Sequence, residues 1–261
     1  LVILHDKGIN HGHTRSDGMN SSFSYPLYRD LDAATHSIFN GILARTSASV
    51  TLAWKETDER VSCELVSGNY FTVLGVKPWR GRLLTPADDE KPGAHPVVVL
   101  GHGLWQSSFG ADPKVVNRSI RLNNHPYVVV GVAPPTFYGI KVGGAPGVFV
   151  PMMMKAQITP TWDGLTDRTD HWAGLVARLK SGVDIGRAQA ALRVIYPPIR
   201  DVDLNFMRSN SSAFLKEFAK KTIDLAPGSK GYSDLKQHLQ NPLRFLAAMV
   251  GIVLLITIVN V

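Results

Sequence analysis

The chain has 261 residues, 44% of them hydrophobic and 19% charged, which is enough apolar material for one large or two small packed domains and too much for a disordered chain. Its formal charge of +7 is spread along the sequence without a basic stripe or interleaved stacking aromatics, so no nucleic-acid surface is indicated and an anionic membrane suits the balance better. Cys63 is alone, which excludes an internal disulfide and any multi-cysteine zinc or iron–sulfur site; it reads as a small buried residue on a strand.

In chain order, Leu1 to Leu4 is a short apolar run with the pattern of a buried strand, and residues Asn10 to Ser24, rich in Gly, Ser, Asn and His, read as loop. Ser24 is positioned as a helix N-cap with Pro26 in the first turn, and Leu27, Leu31, Ala34 and Ile38 follow at helical spacing. From Ile42 to Trp54 the period changes to two, with Ile42, Ala44, Thr46, Ala48, Val50, Leu52 and Trp54 on one face and Arg45, Ser47, Ser49 and Thr51 on the other. Val61, Cys63 and Leu65 resume that alternation after the charged segment Lys55 to Arg60, so a long hairpin is expected.

Val97 to Leu100 reads as a buried strand and Leu104 to Phe109 as a short helix. Arg118 to Leu122 and Tyr127 to Val132 make a second hairpin through Asn123 and Asn124, because Asn tolerates the positive φ of such a turn. Pro134 to Asp170 reads as loops around one edge strand in "GVFVPMMM". His171 to Leu179 alternates again, and Asp184 caps a helix carrying Ile185, Ala188, Leu192 and Ile195. Strands and helices mixed through hairpins, without regular βα alternation, give an α+β class.

The sequence ends differently. Between Phe245 and Val259 no side chain is charged, and the 19 residues from Leu243 to Val261 would rise about 28 Å as a helix, close to the hydrocarbon thickness of a bilayer. A truncated transmembrane helix is the expectation, and the chain, which opens at Leu1 and stops inside this run, is expected to be a piece of a longer protein. Ahead of it, Tyr232 to Arg244 sets Leu235, Leu239 and Leu243 at spacings of four among polar residues, an amphipathic lead into lipid. Large domains cross membranes largely regardless of flanking charge, so the residues alone leave the side open.

Several polar clusters have compositions that chemistry could use. His5, His11 and His13 with Asp6 and Asp17 have the composition of a metal site, but a Gly/Ser/Asn loop gives no rigid frame for three ligands. Asp163, Asp167, Asp170 and His171 fit neither a calcium loop nor a helical His motif and read as a solvated loop. "GHGLW" at Gly101 occupies the place of a nucleophile elbow, yet Gly103 stands where the nucleophile belongs. "GSKG" at Gly228 lacks the spacing of a phosphate loop, and Asp88, Asp89 and Glu90 read as an acidic turn whose carboxylates point apart. No catalytic, cofactor-binding or metal residue is therefore assigned, and the chain is not expected to be an enzyme.

Four ordered segments resemble one family: Val66 to Asp89, Pro96 to Phe137, Val176 to Leu192 and Pro242 to Val261 are similar to the MacB-like periplasmic core domain followed by the start of the FtsX-like permease domain of ABC transporters. The likeness is greatest to the large duplicated permeases of acidobacteria, with Asn124 standing where the family commonly has Gly. The resemblance implies a domain on the periplasmic side of the bacterial inner membrane, with a transmembrane helix before Leu1 and more after Val261. It implies a porter-like subdomain from residues 1–79 and 171–230, an inserted β-rich subdomain from 80–170, an amphipathic connector at 231–242 and a transmembrane helix from 243 to 261. It further implies a cytoplasmic ABC ATPase subunit that binds the ATP, no cofactor in this chain, a second permease half supplied by a homodimer or an internal repeat, and a mechanical role in export or extraction. Two other readings rest on one anchor alone: a membrane-anchored extracytoplasmic sensor or ligand-binding module with its pocket in Pro134 to Asp170, and a tethered hydrolase using the histidines.

Overall fold

In the computed structural model, which describes residues 1–9, 22–55, 57–141, 143–207, 210–228, 245–246 and 249–250, strand β1 (Val2–Lys7) continues past the apolar run to Lys7. Helix α1 (Tyr25–Ala34) begins where the Ser24 hydroxyl accepts the Leu27 amide at 3.3 Å, and Pro26 sits in a first turn whose N–H groups have no helical partner anyway. The helix ends at Thr35, whose hydroxyl turns back to the Leu31 carbonyl at 2.7 Å, so Ile38 is buried beyond it.

Strands β2 (Phe39–Trp54) and β3 (Thr57–Val66) form the expected long hairpin, paired from Trp54 opposite Thr57 to Arg45 opposite Val66, and Cys63 is buried on it. Then follow α2 (Tyr70–Leu74), β4 (Arg80–Gly81), β5 (Val97–Leu100) and α3 (His102–Ser107). Strands β6 (Ser119–Leu122) and β7 (His125–Val132) make the second hairpin, with Asn123 at φ 48° and Asn124 at φ 67° as the turn requires. The chain continues through β8 (Val148–Pro151), α4 (Lys155–Ile158) and β9 (Gly174–Leu179). It then forms α5 (Ile185–Phe206), α6 (Ser212–Phe218) and β10 (Thr222–Pro227).

These strands form one ten-stranded mixed sheet in the order β10-β1-β9-β2-β3-β8-β5-β7-β4, with β6 paired to β2 and β7. The expected edge strand in "GVFVPMMM" is corrected: β8 lies inside the sheet, parallel to β3 and antiparallel to β5, and all four of its residues are buried. A continuous apolar run, and not an alternating one, is what a strand covered on both faces requires. One face of the sheet packs Leu27 and Leu31 of α1 with Ala188, Leu192 and Tyr196 of α5. The other packs Tyr70, Phe71 and Val73 of α2 with Phe149 and Leu84.

Helix α5 runs well past Ile195, through Pro197 and Pro198. Proline removes an N–H, but the carbonyls it orphans belong to Arg193 and Val194 on the exposed side, where water can satisfy them. The amphipathic stretch 231–242 and nearly all of the apolar stretch 243–261 lie outside the described residues. Among the described residues no helix is long and apolar enough to cross a membrane.

Candidate functional site

Two strands far apart in sequence meet at one end of the sheet. β1 and β10 pair antiparallel from Val2 opposite Pro227 to Lys7 opposite Thr222, and the Gly228 amide donates to the Leu1 carbonyl at 3.0 Å, so residues 1 and 228 lie side by side. Below this ladder Lys221 reaches Asp6 at 2.9 Å, with both side chains almost wholly buried and the ammonium 4.9 Å from the Phe218 ring centroid. The outer edge of β10 is closed by a side chain: Gln189 of α5 donates to the Ile223 carbonyl and accepts from the Leu225 amide, each at 2.8 Å, taking the place of another strand. The base of the domain is thus a double strand locked to a helix.

Further polar ties join distant segments to it. Arg168 donates to Asp203 of α5 at 2.6 Å and to Asp30 of α1 at 2.5 Å. Burial raises the Asp203 carboxyl to about 6, against the pull of Arg168. Arg45, on the face of its hairpin opposite Ile42 and Ala44, is fully buried and ion-paired with Glu64 on β3, and the Tyr70 hydroxyl donates to the same carboxylate at 3.4 Å. α2 and the Phe71–Phe149 cluster cover that face, and burial obliges its charges to pair.

The acidic turn also differs from expectation in burial. Asp88 and Asp89 are both buried and bind different partners. Asp88 accepts two bonds from Arg82 at 2.6 and 2.8 Å and closes a capping box with Thr85. Burial alone would raise its carboxyl, and the Arg82 and Thr85 donors outweigh that and hold it below the usual range. Asp89 accepts the Gly68 amide at 3.0 Å and the Met153 amide at 2.7 Å, tying the loop after β3 to the turn after β8. Burial pushes Asp89 up to about 7, which those amides and Arg29 only partly offset.

The loop from Asp163 to His171 is half as expected. Asp163 and Asp167 are exposed turn residues, each accepting the amide two positions on. Asp170 and His171 are buried instead of solvated: Asp170 accepts the Trp162 indole N–H at 2.5 Å, and His171 Nδ1 lies 2.9 Å from the Thr169 carbonyl. Sequence reasoning missed their neighbour Lys155, which is buried with its ammonium 4.0 Å from the Trp162 ring centroid and 4.6 Å from that of Trp172. Two tryptophans ten positions apart beyond a lone lysine were the available signal.

His5 is half-buried on β1 opposite Asp224, with burial lowering its pKa. His11, His13 and Asp17 lie outside the described residues, and among the described residues no three His, Cys, Asp or Glu side chains are placed to hold a metal. Gly101 is glycine for space: an added Cβ would lie 2.2 Å from the Pro146 carbonyl. It borders a cleft of ≈ 590 Å³ walled by β3, α3, residues 135–138 and residues 145–147, including His102, Leu104, Phe137 and Tyr138, with no Asp, Glu, Lys or Arg in its lining among the described residues.

A double-stranded base, buried ties and an uncharged cleft are parts of a stiff body. The family described as the MacB-like periplasmic core domain matches residues 5–195. The chain belongs to this family. The MacB-like character recurs in curated relatives, for which the chain spans 27% of their length: the macrolide export ATP-binding/permease protein MacB of Salmonella typhi, and that of Salmonella typhimurium, are each 25% identical over 194 residues, 71% of this chain. The periplasmic region of MacB from Actinobacillus actinomycetemcomitans shares the fold at a TM-score of 0.58 and 15% identity, covering 92% of both chains. The extracellular domain of the ABC-type transporter YknZ from Gram-positive bacteria does so at 0.51 and 14% identity, over 87% of this chain and 99% of its own. The family match thus covers residues 5–195, and the shared mixed α+β fold covers 92% of the chain.

Proposed function

We propose that this MacB-like core domain is the periplasmic lever of an ABC-transporter permease, moved by ATP hydrolysis on a separate cytoplasmic subunit to export or extract a substrate. On this reading residues 243–261 begin the first helix of an FtsX-like permease domain, residues 231–242 are its connector, and the body stands outside the bacterial inner membrane. The body divides into a porter-like part, residues 1–79 and 171–230, and an insert, residues 80–170. The second permease half is another copy or an internal repeat, as in the duplicated acidobacterial permeases. The chain itself performs no covalent chemistry.

The observation that carries this reading is the pairing of β1 with β10. It sets Gly228 beside Leu1, so on this reading a displacement at the membrane end enters the sheet through two bonded strands. Coupling by movement needs a stiff path of this kind. The Asp6–Lys221 pair and Gln189 stiffen it further and pass the load to α5.

The test is topological. In spheroplasts of cells carrying the full-length parent, protease added outside should cleave within the body, and protease on the cytoplasmic side should not; the reverse pattern would reject the reading. A second reading, an anchored ligand-binding module, is favoured by the uncharged ≈ 590 Å³ cleft, which is of ligand-pocket size. Widening that cleft with Leu104→Ala should leave transport intact on the lever reading and abolish signalling on the module reading.

A further inference from the structure

Helix α5 has two apolar faces, and the fold uses only one. Ala188, Leu192 and Tyr196 are buried against the sheet. Ala190, Val194, Pro198, Val202 and Phe206 follow one another at spacings of four and are all exposed, Val194 at 76%, Val202 at 40% and Phe206 at 64%. Among the described residues the Phe206 ring lies 5.7 Å from the Arg168 guanidinium, yet the line as a whole stays exposed, and an exposed apolar row on a helix already anchored points to a contact surface. Rows at spacings of four are also the ridges that interlock in the commonest class of helix pair.

We propose that this ridge is the contact between two copies of the chain, packed α5 against α5 in antiparallel sense about a two-fold axis near Pro198. The ridge is its own complement. A dyad through Pro198 sets Val194 against Val202 of the second copy and the small Ala190 toward the large Phe206 of the second copy. Charge selects the same sense: Arg187 and Arg193 are exposed on the first half of α5, whereas on the second half Asp201, bonded to its neighbour Arg200 at 2.8 Å and still 57% exposed, offsets that cation. Antiparallel packing brings Arg193 within reach of Asp201 of the second copy, and parallel packing would place Arg193 against itself. This rests on the permease reading and specifies which surface its second half meets when that half is an identical copy.

The test uses the full chain in detergent micelles. With Val194→Cys and Val202→Cys together, oxidation by copper phenanthroline should give a covalent dimer at least tenfold above the wild-type chain, whose Cys63 is buried, and above Gly93→Cys, a surface position on the insert with open space around it. The two new thiols lie eight positions apart on one helix, about 12 Å, too far for a bond within the chain. Arg193→Asp or Asp201→Arg alone should cut the yield severalfold, and the two together should restore it. No excess over the controls, or a double swap no better than either single one, overturns the proposal. A dimer seen by sedimentation without this crosslink also overturns it but leaves the permease reading standing, and failure of the chain to partition into membranes would reject that reading alone.

Discussion

Replacing Lys221 by Met is the sharpest perturbation of the base. The Lys221 ammonium sits 2.9 Å from Asp6, with side chains 0% and 2% exposed, and Met keeps much of its volume and its contact with Phe218. What Met cannot do is offset the Asp6 charge. Breaking one partner out of a buried pair costs roughly 3–5 kcal/mol, a large share of the roughly 5–15 kcal/mol that holds a domain together. At roughly 2–4 °C per kcal/mol for a body of this size, thermal unfolding followed by tryptophan fluorescence should fall by roughly 10 °C at neutral pH. Adding Asp6→Leu should recover most of the loss, because an apolar pair of similar volume replaces both charges. A loss below about 1 kcal/mol, or a double variant as unstable as the single one, would refute the claim that a dry ion pair clamps β1 to β10.

Arg168→Met should destabilise by about 2–4 kcal/mol in the same melt, since it strips a guanidinium from buried Asp203 as well as from Asp30, and Asp203→Asn added to it should return part of that. Asp89 binds its proton more tightly folded than unfolded, from 3.8 up to about 7, so its contribution falls as pH rises across that window, by at most roughly 4 kcal/mol. Asp89→Asn should flatten that slope in denaturant melts between pH 5 and 8 while adding a pH-independent cost of about 1–3 kcal/mol for one amide left unpaired. Gly101→Ala should cost about 1–3 kcal/mol in urea melts, because its Cβ would lie 2.2 Å from the Pro146 carbonyl.

The sequence was most legible where local rules decide the structure. The Ser24 and Asp184 caps, the β2–β3 hairpin and the Asn123–Asn124 turn were all readable from a handful of neighbouring residues, because hydroxyl, carboxylate and positive-φ preferences act within one turn. What was hidden depends on partners far along the chain. β8 is central only because β3 and β5 flank it, and Arg45 is buried only because α2 closes over the hairpin. Asp170 reads as a loop residue because the Trp162 indole that donates to it comes from eight positions earlier in an irregular segment. The continuation of α5 through Pro197–Pro198 defeats the local rule against proline, since the rule assumes orphaned carbonyls without water. The ties at the base, Asp6 to Lys221 and Gln189 to β10, join positions more than thirty residues apart and leave no local trace.

The central claim, that movement at the membrane reaches this body through a stiff connection, is tested most directly by a flexible Gly-Ser segment inserted after Gln240 in the full-length parent, reconstituted with its ATPase. ATP hydrolysis and substrate movement measured in one preparation should separate, with hydrolysis retained, the body folded by tryptophan fluorescence, and transport lost. Transport persisting at the parent's rate through so loose a joint would contradict the account.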